Sequence, residues 1–290
     1  MVEAGYIRCD AYNISVNSDF QLTDRDFDRI RALIHRHAGI ALGAQKREMV
    51  YSRISRRLRQ LNLSDFGSYL DLLELQDNSD ERQGFINSLT TNLTSFFREA
   101  HHFPVLAELA HSTRTPLTVW CTAASTGEEP YSIAITLMEA LGDRASSARI
   151  IATDIDTDVL RAAASGVYKL DRVSSLSPER LKRFFNKGVG QSAGYAKVRP
   201  EVSAMISFDR LNLLEPYWRV KEPVDAIFCR NVMIYFDKPT QKRILERFQP
   251  LLKPHGLLFA GHSENASLVS PGFRSVGQTV YSAVGRESGG

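Results

Sequence analysis

Short apolar runs alternate with amphipathic segments from residue 117 onward, and this alternation constrains the fold more than any other feature of the sequence. The apolar runs are LTVWC (117–121), ARIIATDI (148–155), VDAIFCR (224–230), GLLFAG (256–261) and TVYSAV (279–284). The first three lead into segments with helical patterning, such as PYSIAITLMEAL and PTQKRILERFQPLL. Strands that alternate with helices form parallel sheets whose faces those helices cover. The sequence therefore predicts an α/β domain with a mostly parallel, doubly wound, Rossmann-like sheet.

One stretch, residues 166–204, interrupts this alternation. Ser177 and Pro178 are typical of a helix N-cap and a first helical position, and they predict a helix over SPERLKRFF. The following segment, NKGVGQSAGYAKVRPEVSAMISF, contains three closely spaced glycines and is typical of a hairpin. We therefore expect an inserted subdomain made of a helix and a small antiparallel β-hairpin.

The N-terminal part of the chain has helical periodicity instead. Thr23 or Asp24 is a suitable N-cap for the first helix, which Gly39 would end. Three further helical stretches are AQKREMVYSRISRRLRQLNL, LSDFGSYLDLLE and SDERQGFINSLTTNLTSFF. We expect a flexible arm over residues 1–19, a small all-α domain over 20–89, and the sheet domain over 90–290.

Composition excludes several classes of protein. A net charge of +3 falls short of the dense basic surface that nucleic-acid binding requires. The three cysteines, Cys9, Cys121 and Cys229, are odd in number and lack metal-ligand spacing, which fits a reducing compartment. The N-terminus has no apolar signal core, and no segment approaches the run of about 18 apolar residues that spans a bilayer. We expect a cytoplasmic protein without a membrane segment.

The turn after the first strand, AASTGEE, indicates the kind of ligand that the sheet binds. It has one glycine, Gly127, and not the three of the dinucleotide fingerprint. Glu128 and Glu129 stand where a helix N-terminus would otherwise favour a phosphate, so they would repel an anion and attract a cation. S-adenosylmethionine combines an adenosine with a sulfonium and an ammonium group and fits this environment. The alternative is that both acids simply complement the helix dipole.

Asp154, at the end of the second strand in ATDID, supports the same ligand. An acid at this distance past the glycine turn can accept hydrogen bonds from both ribose hydroxyls. The alternative is an N-cap for the next helix, although Asp156 or Thr157 is better placed for that task. The turn and the acid therefore both indicate an adenosyl cofactor.

Six segments in register identify a family that the chain resembles. They are TTNLTSFFREAHHF, AASTGEEPYSIA, ATDID, LNLLEP, IFCRNVMIYFDKPTQ and LLKPHGLLFAGHSEN. Together they closely resemble the chemotaxis receptor glutamate methyltransferases of the CheR type, over residues 20–284. The resemblance implies methyl transfer from S-adenosylmethionine to glutamate side chains on the cytoplasmic helices of chemoreceptors, with S-adenosylhomocysteine as product. It further implies a cytoplasmic enzyme, recruited to receptor arrays, that acts in sensory adaptation.

The resemblance also implies roles for individual residues, carried over by their place in these motifs. The methionine end of the cofactor would be covered by Asn92, Thr94, Arg98 and Glu129, and the ribose would be held by Asp154. The adenine would be flanked by Asn212 and Leu213, and the adenosyl group would be bordered by Arg230 and Asn231. Tyr235 would face the methyl group.

The chemistry of this reaction requires little beyond orientation. A glutamate side chain has a reference pKa near 4.3, so the nucleophile is ionised at neutral pH and needs no general base. Arg98 has the planar donor fork that can orient a carboxylate, and Tyr235 can add a hydroxyl donor. The alternatives are a surface salt bridge of Arg98 with Glu99 or another neighbouring acid, and ordinary packing of Tyr235.

Two surfaces are candidates for docking the receptor. The second helix carries cations with one opposing acid, Glu48, and its Arg53, Arg56, Arg57 and Arg59 could dock acidic receptor helices. A solvated face or weak RNA contact would explain the same charges. The hairpin with Gly188, Gly190 and Gly194 could offer an edge strand to a flexible receptor tail, or be an inert turn.

Other functions are less consistent with the sequence. GHSEN lacks the last glycine of a nucleophile elbow, so Ser263 is not a convincing acyl-transfer nucleophile. His101 and His102 are adjacent and cannot share a helical face as a zinc pair would, so no metal is expected. An inactive adaptor that binds the cofactor and docks receptors is the alternative function, followed by an RNA methyltransferase. A nicotinamide oxidoreductase comes third, because the single-glycine turn with its two acids argues against it. We expect a monomer that binds neither nucleic acid nor membrane.

Overall fold

The computed structural model describes residues 20–75, 78–113, 116–220 and 222–284. The predicted arm, residues 1–19, lies outside this part of the chain. In the described residues no helix is long and apolar enough to cross a bilayer.

Four helices form the N-terminal module: α1 (Asp24–Ala38), α2 (Arg47–Leu61), α3 (Phe66–Glu74) and α4 (Ser79–Leu89). Thr23 is the N-cap of α1, in a capping box with Asp26, and Gly39 ends α1 at φ 70°. Apolar residues of all four helices, such as Ile34, Ile54 and Phe85, share one buried core. The all-α prediction is confirmed, but α4 ends at Leu89 and does not continue to residue 97 as predicted.

The C-terminal part is built on a seven-stranded sheet. In chain order its parts are α5 (His102–Ser112), β1 (Thr118–Cys121), α6 (Glu128–Leu141), β2 (Arg149–Asp154), α7 (Thr157–Ser165), β6 (Ile206–Arg210), β7 (Val224–Cys229), α11 (Lys238–Phe248), β8 (Leu252–Ala260), α12 (Ala266–Val269), β9 (Phe273–Gly277) and β10 (Val280–Ala283). The strands lie side by side in the order β6-β2-β1-β7-β8-β10-β9. Strands β6, β2, β1, β7 and β8 are parallel, and β10 is antiparallel to both of its neighbours. The mostly parallel, doubly wound sheet is confirmed.

The alternation of side chains along β1 divides the interior into two layers. Val119 and Cys121 belong to the core that α5 and α6 cover, and Trp120 belongs to the core beneath α11. All three are fully buried, as expected for a central parallel strand with helices on both faces. The order of strands reverses between β1 and β7, which is where a ligand crevice forms in sheets of this class.

The inserted subdomain contains β3 (Val167–Lys169), α8 (Leu170–Val173), α9 (Pro178–Phe184), β4 (Phe185–Lys187), β5 (Tyr195–Val198) and α10 (Pro200–Ser203). Ser177 is the N-cap of α9, as predicted. The strands form an antiparallel sheet in the order β3-β5-β4, so the predicted hairpin is confirmed and gains a third strand. Residues 206–208, predicted within the hairpin, instead begin β6, which pairs with β2 at the edge of the large sheet.

The helical module sits over the carboxyl ends of the parallel strands. The Gln83 amide donates to the carbonyl of Ile155, just after β2, at 2.7 Å. The Asn212 amide donates to the carbonyl of His37 at 2.7 Å, and the amide of Ala41 donates to the carbonyl of Tyr235 at 2.9 Å. These bonds hold the module against the edge of the sheet where ligands bind.

Candidate functional site

A cavity of about 360 Å³ lies between the carboxyl ends of β1, β2 and β7 and the helical module. Its volume is within the range of small-molecule sites. All ten residues predicted for the cofactor and the reaction line it: Asn92, Thr94, Arg98, Glu129, Asp154, Asn212, Leu213, Arg230, Asn231 and Tyr235. The module contributes an apolar wall that the sequence did not predict, including Ile40, Leu42 and Met49.

The turn between β1 and α6 brings the backbone close to its neighbours. Gly127 has φ 99°, and a Cβ atom at this position would lie 3.1 Å from the Cα atom of Ala163. A residue with a side chain would therefore be strained here and would also collide with α7. Glycine allows α6 to begin immediately afterwards, at Glu128.

Glu128 does not face the cavity. Its side chain is fully buried, and its Oε1 accepts hydrogen bonds from Arg172, with the Nε atom at 3.1 Å. Its Oε2 accepts the hydroxyl of Thr126 at 2.6 Å. The prediction that Glu128 attracts a cationic ligand is therefore wrong, because its charge is neutralised by an arginine of the insertion.

Glu129 lines the cavity but is also paired. The Arg230 guanidinium donates to its Oε2 at 2.7 Å, and the Cys121 thiol lies 3.2 Å from its Oε1. Burial raises the pKa of Glu129, and the charge of Arg230 opposes that shift. The pair carries no net charge when both groups are ionised, so Glu129 offers a hydrogen-bond acceptor more than a free negative charge.

Asp154 differs from both glutamates, since its hydrogen bonds come from backbone amides. The amides of Ser125 and Asp156 donate to its two carboxyl oxygens at 2.8 and 3.0 Å. Burial raises its pKa to about 6. Asp156, and not Asp154, is the N-cap of α7, accepting from the amides of Asp158 and Val159. Asp154 is thus an acid at the cavity wall without a capping task, as its predicted ribose role requires.

The loop that carries Arg98 has an unusual backbone. Phe97 and Glu99, on either side of Arg98, have φ values of 53° and 54°. Ser125 and Asn231, which also line the cavity, have φ values of 49° and 57°. Left-handed backbone at residues other than glycine costs of order 1 kcal/mol each and persists only where surrounding contacts impose it. Such strain is concentrated around this cavity.

The Arg98 side chain is not committed to a carboxylate. Its Nη1 donates to the carbonyl of Leu93 at 2.9 Å, and no acid lies within ion-pair distance of it in the part of the chain that the structure describes. Glu99 turns instead toward Arg230, at 3.5 Å, and accepts from the Asn231 amide at 3.2 Å. The alternative of an Arg98–Glu99 salt bridge is therefore wrong.

Tyr235 joins the cavity to the helical module. Its ring packs against the module core, and its hydroxyl has no hydrogen-bond partner among the described residues. Packing and a donor role are thus compatible in this residue, and the donor role stays a prediction.

Two predicted ligand residues hold the protein itself together. The Asn92 amide donates to Asp156 at 2.8 Å, and the Asn212 amide donates to His37 of the module. Leu213 is buried and contributes an apolar surface. These residues shape the cavity, and their own contacts with a cofactor stay predictions.

Comparison with known proteins identifies the family. A model of the CheR methyltransferase SAM binding domain matches residues 92–282, and a model of the CheR all-alpha domain matches residues 25–90. The chain belongs to the CheR methyltransferase family. It is 60% identical over 260 residues to the chemotaxis protein methyltransferase of Klebsiella aerogenes, covering 90% of each chain. It is 55% identical to that of Escherichia coli, covering 90% of this chain and 91% of the relative. It is 53% identical to chemotaxis protein methyltransferase 2 of Pseudomonas aeruginosa, covering 92% and 95%.

The four arginines predicted for docking in this CheR-family chain are not equivalent. Arg53 donates to the carbonyls of Ser88 and Thr90, and Arg57 pairs with Glu81, with its Nε at 2.7 Å from Oε1. Arg56 and Arg59 are exposed, and the Arg59 guanidinium lies 5.5 Å from the centre of the Phe20 ring. Arg53 and Arg57 therefore bond within the module, and Arg56 and Arg59 lie at its surface.

The glycines of the hairpin serve its turn. Gly190 and Gly194 have φ values of 57° and 90°, and Gly188 is too close to the carbonyl of Ser192 to carry a side chain. Within the described residues, β3 and β4 form the two edges of the small sheet, since β5 lies between them.

His101 and His102 come closer together than their sequence suggested. Their rings are 4.2 Å apart, and with Glu99 they form a group whose ligand atoms lie within 4.8 Å of one another. The argument from a shared helical face was wrong, because His101 precedes α5. However, Arg230 already places a cation 3.5 Å from Glu99, and the Nε2 atoms of His101 and His102 lie 3.2 and 2.8 Å from the Thr279 hydroxyl. The expectation that no metal binds stays a prediction.

Proposed function

We propose that this chain is a protein-glutamate O-methyltransferase that uses S-adenosylmethionine to methylate glutamate side chains on the cytoplasmic helices of chemoreceptors. The observation that carries the proposal is the convergence of ten predicted residues on one cavity in a chain of the CheR family. We assign receptor docking to residues 20–89 and the reaction to residues 90–290, with the insertion at 166–204.

The residues around the cavity fit this cofactor. Asp154 offers ribose hydroxyls a buried carboxylate that lacks a cationic partner among the described residues. Leu213 and the module wall offer the apolar surface that an adenine ring needs, and the Glu129–Arg230 pair supplies polar contacts without a net charge. When bound, S-adenosylmethionine supplies an electrophilic methyl group and leaves as S-adenosylhomocysteine.

Arg98 has the features of the residue that orients the substrate. Its side chain is held by one backbone carbonyl, a contact that a carboxylate can replace with a stronger, charge-assisted pair of hydrogen bonds. Tyr235 can donate its hydroxyl to the same carboxylate. No residue has to remove a proton, because the glutamate is already ionised at neutral pH.

Arg98→Ala tests this role. We expect turnover to fall by about a hundredfold or more, because the loss of orientation raises the barrier, and the affinity for S-adenosylhomocysteine to fall by much less than the turnover. Methylation rates and calorimetric titrations of the same preparation measure the two quantities. Equal losses of turnover and affinity would show that Arg98 acts in cofactor binding instead.

We further propose that Arg56 and Arg59 contribute most of the docking charge, since Arg53 and Arg57 are engaged inside the module. A flexible receptor tail would add to an edge strand of the small sheet, β3 or β4. We expect the enzyme to work as a monomer in the cytoplasm and to be recruited to receptor arrays.

The reaction itself is tested by transfer of a tritiated methyl group. Purified protein is incubated with labelled S-adenosylmethionine and a cytoplasmic receptor fragment, and the product is treated with base. Base-labile label in the receptor supports the proposal, and its loss when the target glutamates are changed to alanine locates it. Cofactor binding without label would indicate the adaptor, and label in added RNA would indicate an RNA methyltransferase.

A further inference from the structure

Arg172 connects the inserted subdomain to two parts of the cofactor site. It belongs to α8, and its Nε donates to Glu128 Oε1 at 3.1 Å, on the first turn of α6. One of its terminal nitrogens also contacts Glu128 and donates to the carbonyl of Thr94 at 3.1 Å. Arg172 itself does not line the cavity. Its guanidinium thus holds together the turn after β1 and the loop that carries Thr94 and Arg98.

The carboxylate of Glu128 accounts for this arrangement. It is fully buried, and Arg172 is the one cation within ion-pair distance of it in the described residues. A buried carboxylate requires a charge partner and hydrogen bonds, so Glu128 fixes where the guanidinium lies. The guanidinium of Arg172 can then donate to the Thr94 carbonyl as well as to Glu128. A lysine ammonium could not reach both acceptors with the same geometry.

The insertion contacts the same loop through its aromatic residues. The Phe96 ring lies edge-on to Tyr168, at 5.0 Å, and to Phe185, at 5.6 Å, which belong to β3 and β4. The Arg180 guanidinium of α9 lies 3.9 Å from the centre of the Phe97 ring. The insertion therefore contacts this loop at Thr94, Phe96 and Phe97.

The loop needs such support because its backbone is strained. Phe97 and Glu99 are left-handed, and Arg98 lies between them. The Phe97 amide donates to the Ser132 hydroxyl at 2.9 Å, and that hydroxyl donates to the carbonyl of Glu128. Glu128 is thus bonded to the loop twice, once through Arg172 and once through Ser132.

We propose that Arg172 is a positioning residue for methyl transfer: by bridging Glu128 and the Thr94 carbonyl, it keeps loop 92–99 in the conformation that presents Arg98 to the substrate carboxylate. This inference rests on the function proposed above and adds to it a task for the insertion within the reaction. The insertion then sets the geometry of the catalytic loop in addition to any part in receptor docking.

The test compares two variants, the double variant Arg172→Met/Glu128→Gln and the single variant Glu128→Gln as its reference. Because the double variant has glutamine at position 128, it leaves no unpaired carboxylate buried. We expect kcat of the double variant to be at least tenfold below that of Glu128→Gln. We expect the affinity for S-adenosylhomocysteine to agree within about threefold, and the Tm values to agree within a few degrees. Arg172→Lys, which retains the charge without the fork, should give an intermediate kcat. Arg183→Met is the matched control, because Arg183 is an exposed arginine of the same insertion that contacts the Phe184 ring.

Hydrogen exchange supplies a readout that is independent of the substrate. Amides of residues 92–99 should exchange several-fold faster in the double variant than in Glu128→Gln, while those of α1 and α2 are unchanged. Equal kcat values, or equal exchange of the loop, would overturn the proposal. A parallel fall in kcat, affinity and Tm would also overturn it, since that pattern indicates a general structural role. If the unmodified protein methylates no receptor fragment, the proposed function fails, and the exchange rates still test the bridge.

Discussion

The first turn of α6 and the end of β2 both place acids beside the cavity, but the structure treats them differently. Glu128 and Glu129 each have an arginine partner, whereas Asp154 accepts hydrogen bonds from two backbone amides. Glu128 serves the architecture of the site, Glu129 faces the cavity as one member of an ion pair, and Asp154 remains available to a ligand without a cationic partner among the described residues. The charge that a site presents therefore depends on which of its acids form ion pairs in three dimensions. The residues next to each acid in the sequence do not reveal these ion pairs.

Removal of Arg230, the partner of Glu129 on the first turn of α6, should have the largest effect on the free energy of unfolding. Arg230→Met removes the guanidinium that contacts both Glu129 and Glu99, whose side chains are 11% and 13% exposed. We expect the free energy of unfolding to fall by about 3–5 kcal/mol, as for other buried pairs that lose one member. Urea denaturation measures this loss. Arg230→Met/Glu129→Gln should recover part of it, and a loss below about 1 kcal/mol for Arg230→Met would show that the pair is not a structural element.

The raised pKa of Asp154, at the end of β2, should make the free energy of unfolding depend on pH. The pKa of Asp154 is raised from 3.8 to about 6, so its contribution to stability is fully present below pH 3.8 and is lost as the pH rises through 6. The shift corresponds to about 3 kcal/mol. Between pH 4 and 7, the unfolding free energy of Asp154→Asn should therefore improve relative to the unmodified protein by up to this amount. A difference that stays constant with pH would mean that Asp154 titrates normally.

A smaller effect, on the affinity for S-adenosylhomocysteine, should distinguish Asp154 from Glu128 most clearly. Ribose hydroxyls donate better to a carboxylate than to a carboxylic acid, so affinity for S-adenosylhomocysteine should rise about tenfold from pH 5 to 7. Asp154→Asn should abolish this rise and weaken binding at pH 7 by about tenfold. Glu128→Gln should keep the rise and change affinity less than threefold, because Glu128 lies outside the cavity. Calorimetry measures all three, and equal effects of the two substitutions would remove the distinction between the regions.

The convergence of the site was predicted in two ways. The residues in the six motifs were implied by the family resemblance, and Asp154 was also predicted from its place at the end of an apolar strand, because the carboxyl ends of parallel strands meet at one edge of the sheet. The partners of the acids could not be predicted in this way. Arg172 and Arg230 stand 44 and 101 residues after Glu128 and Glu129, respectively, and nothing local indicates either pairing.

The errors in the predicted fold have similar causes. Helix α5 was not predicted, since it begins at His102 without a side-chain cap. Strand β6 was assigned to the hairpin because it lies at the sheet edge and lacks the continuous burial of the central strands. Helix α4 stops at Leu89, and the Thr90 hydroxyl then bonds Asp156 at the sheet edge. For β6 and α4, an edge position or a tertiary contact determines the result, and the sequence pattern does not record it.

A crystal structure of the protein with S-adenosylhomocysteine tests the central claim most directly. We predict that the nucleoside fills the cavity, with its ribose hydroxyls within hydrogen-bond distance of the Asp154 carboxylate, while Glu128 keeps its contact with Arg172. Binding of the nucleoside elsewhere, or a ribose held by Glu128 after its pair with Arg172 has opened, would contradict the account.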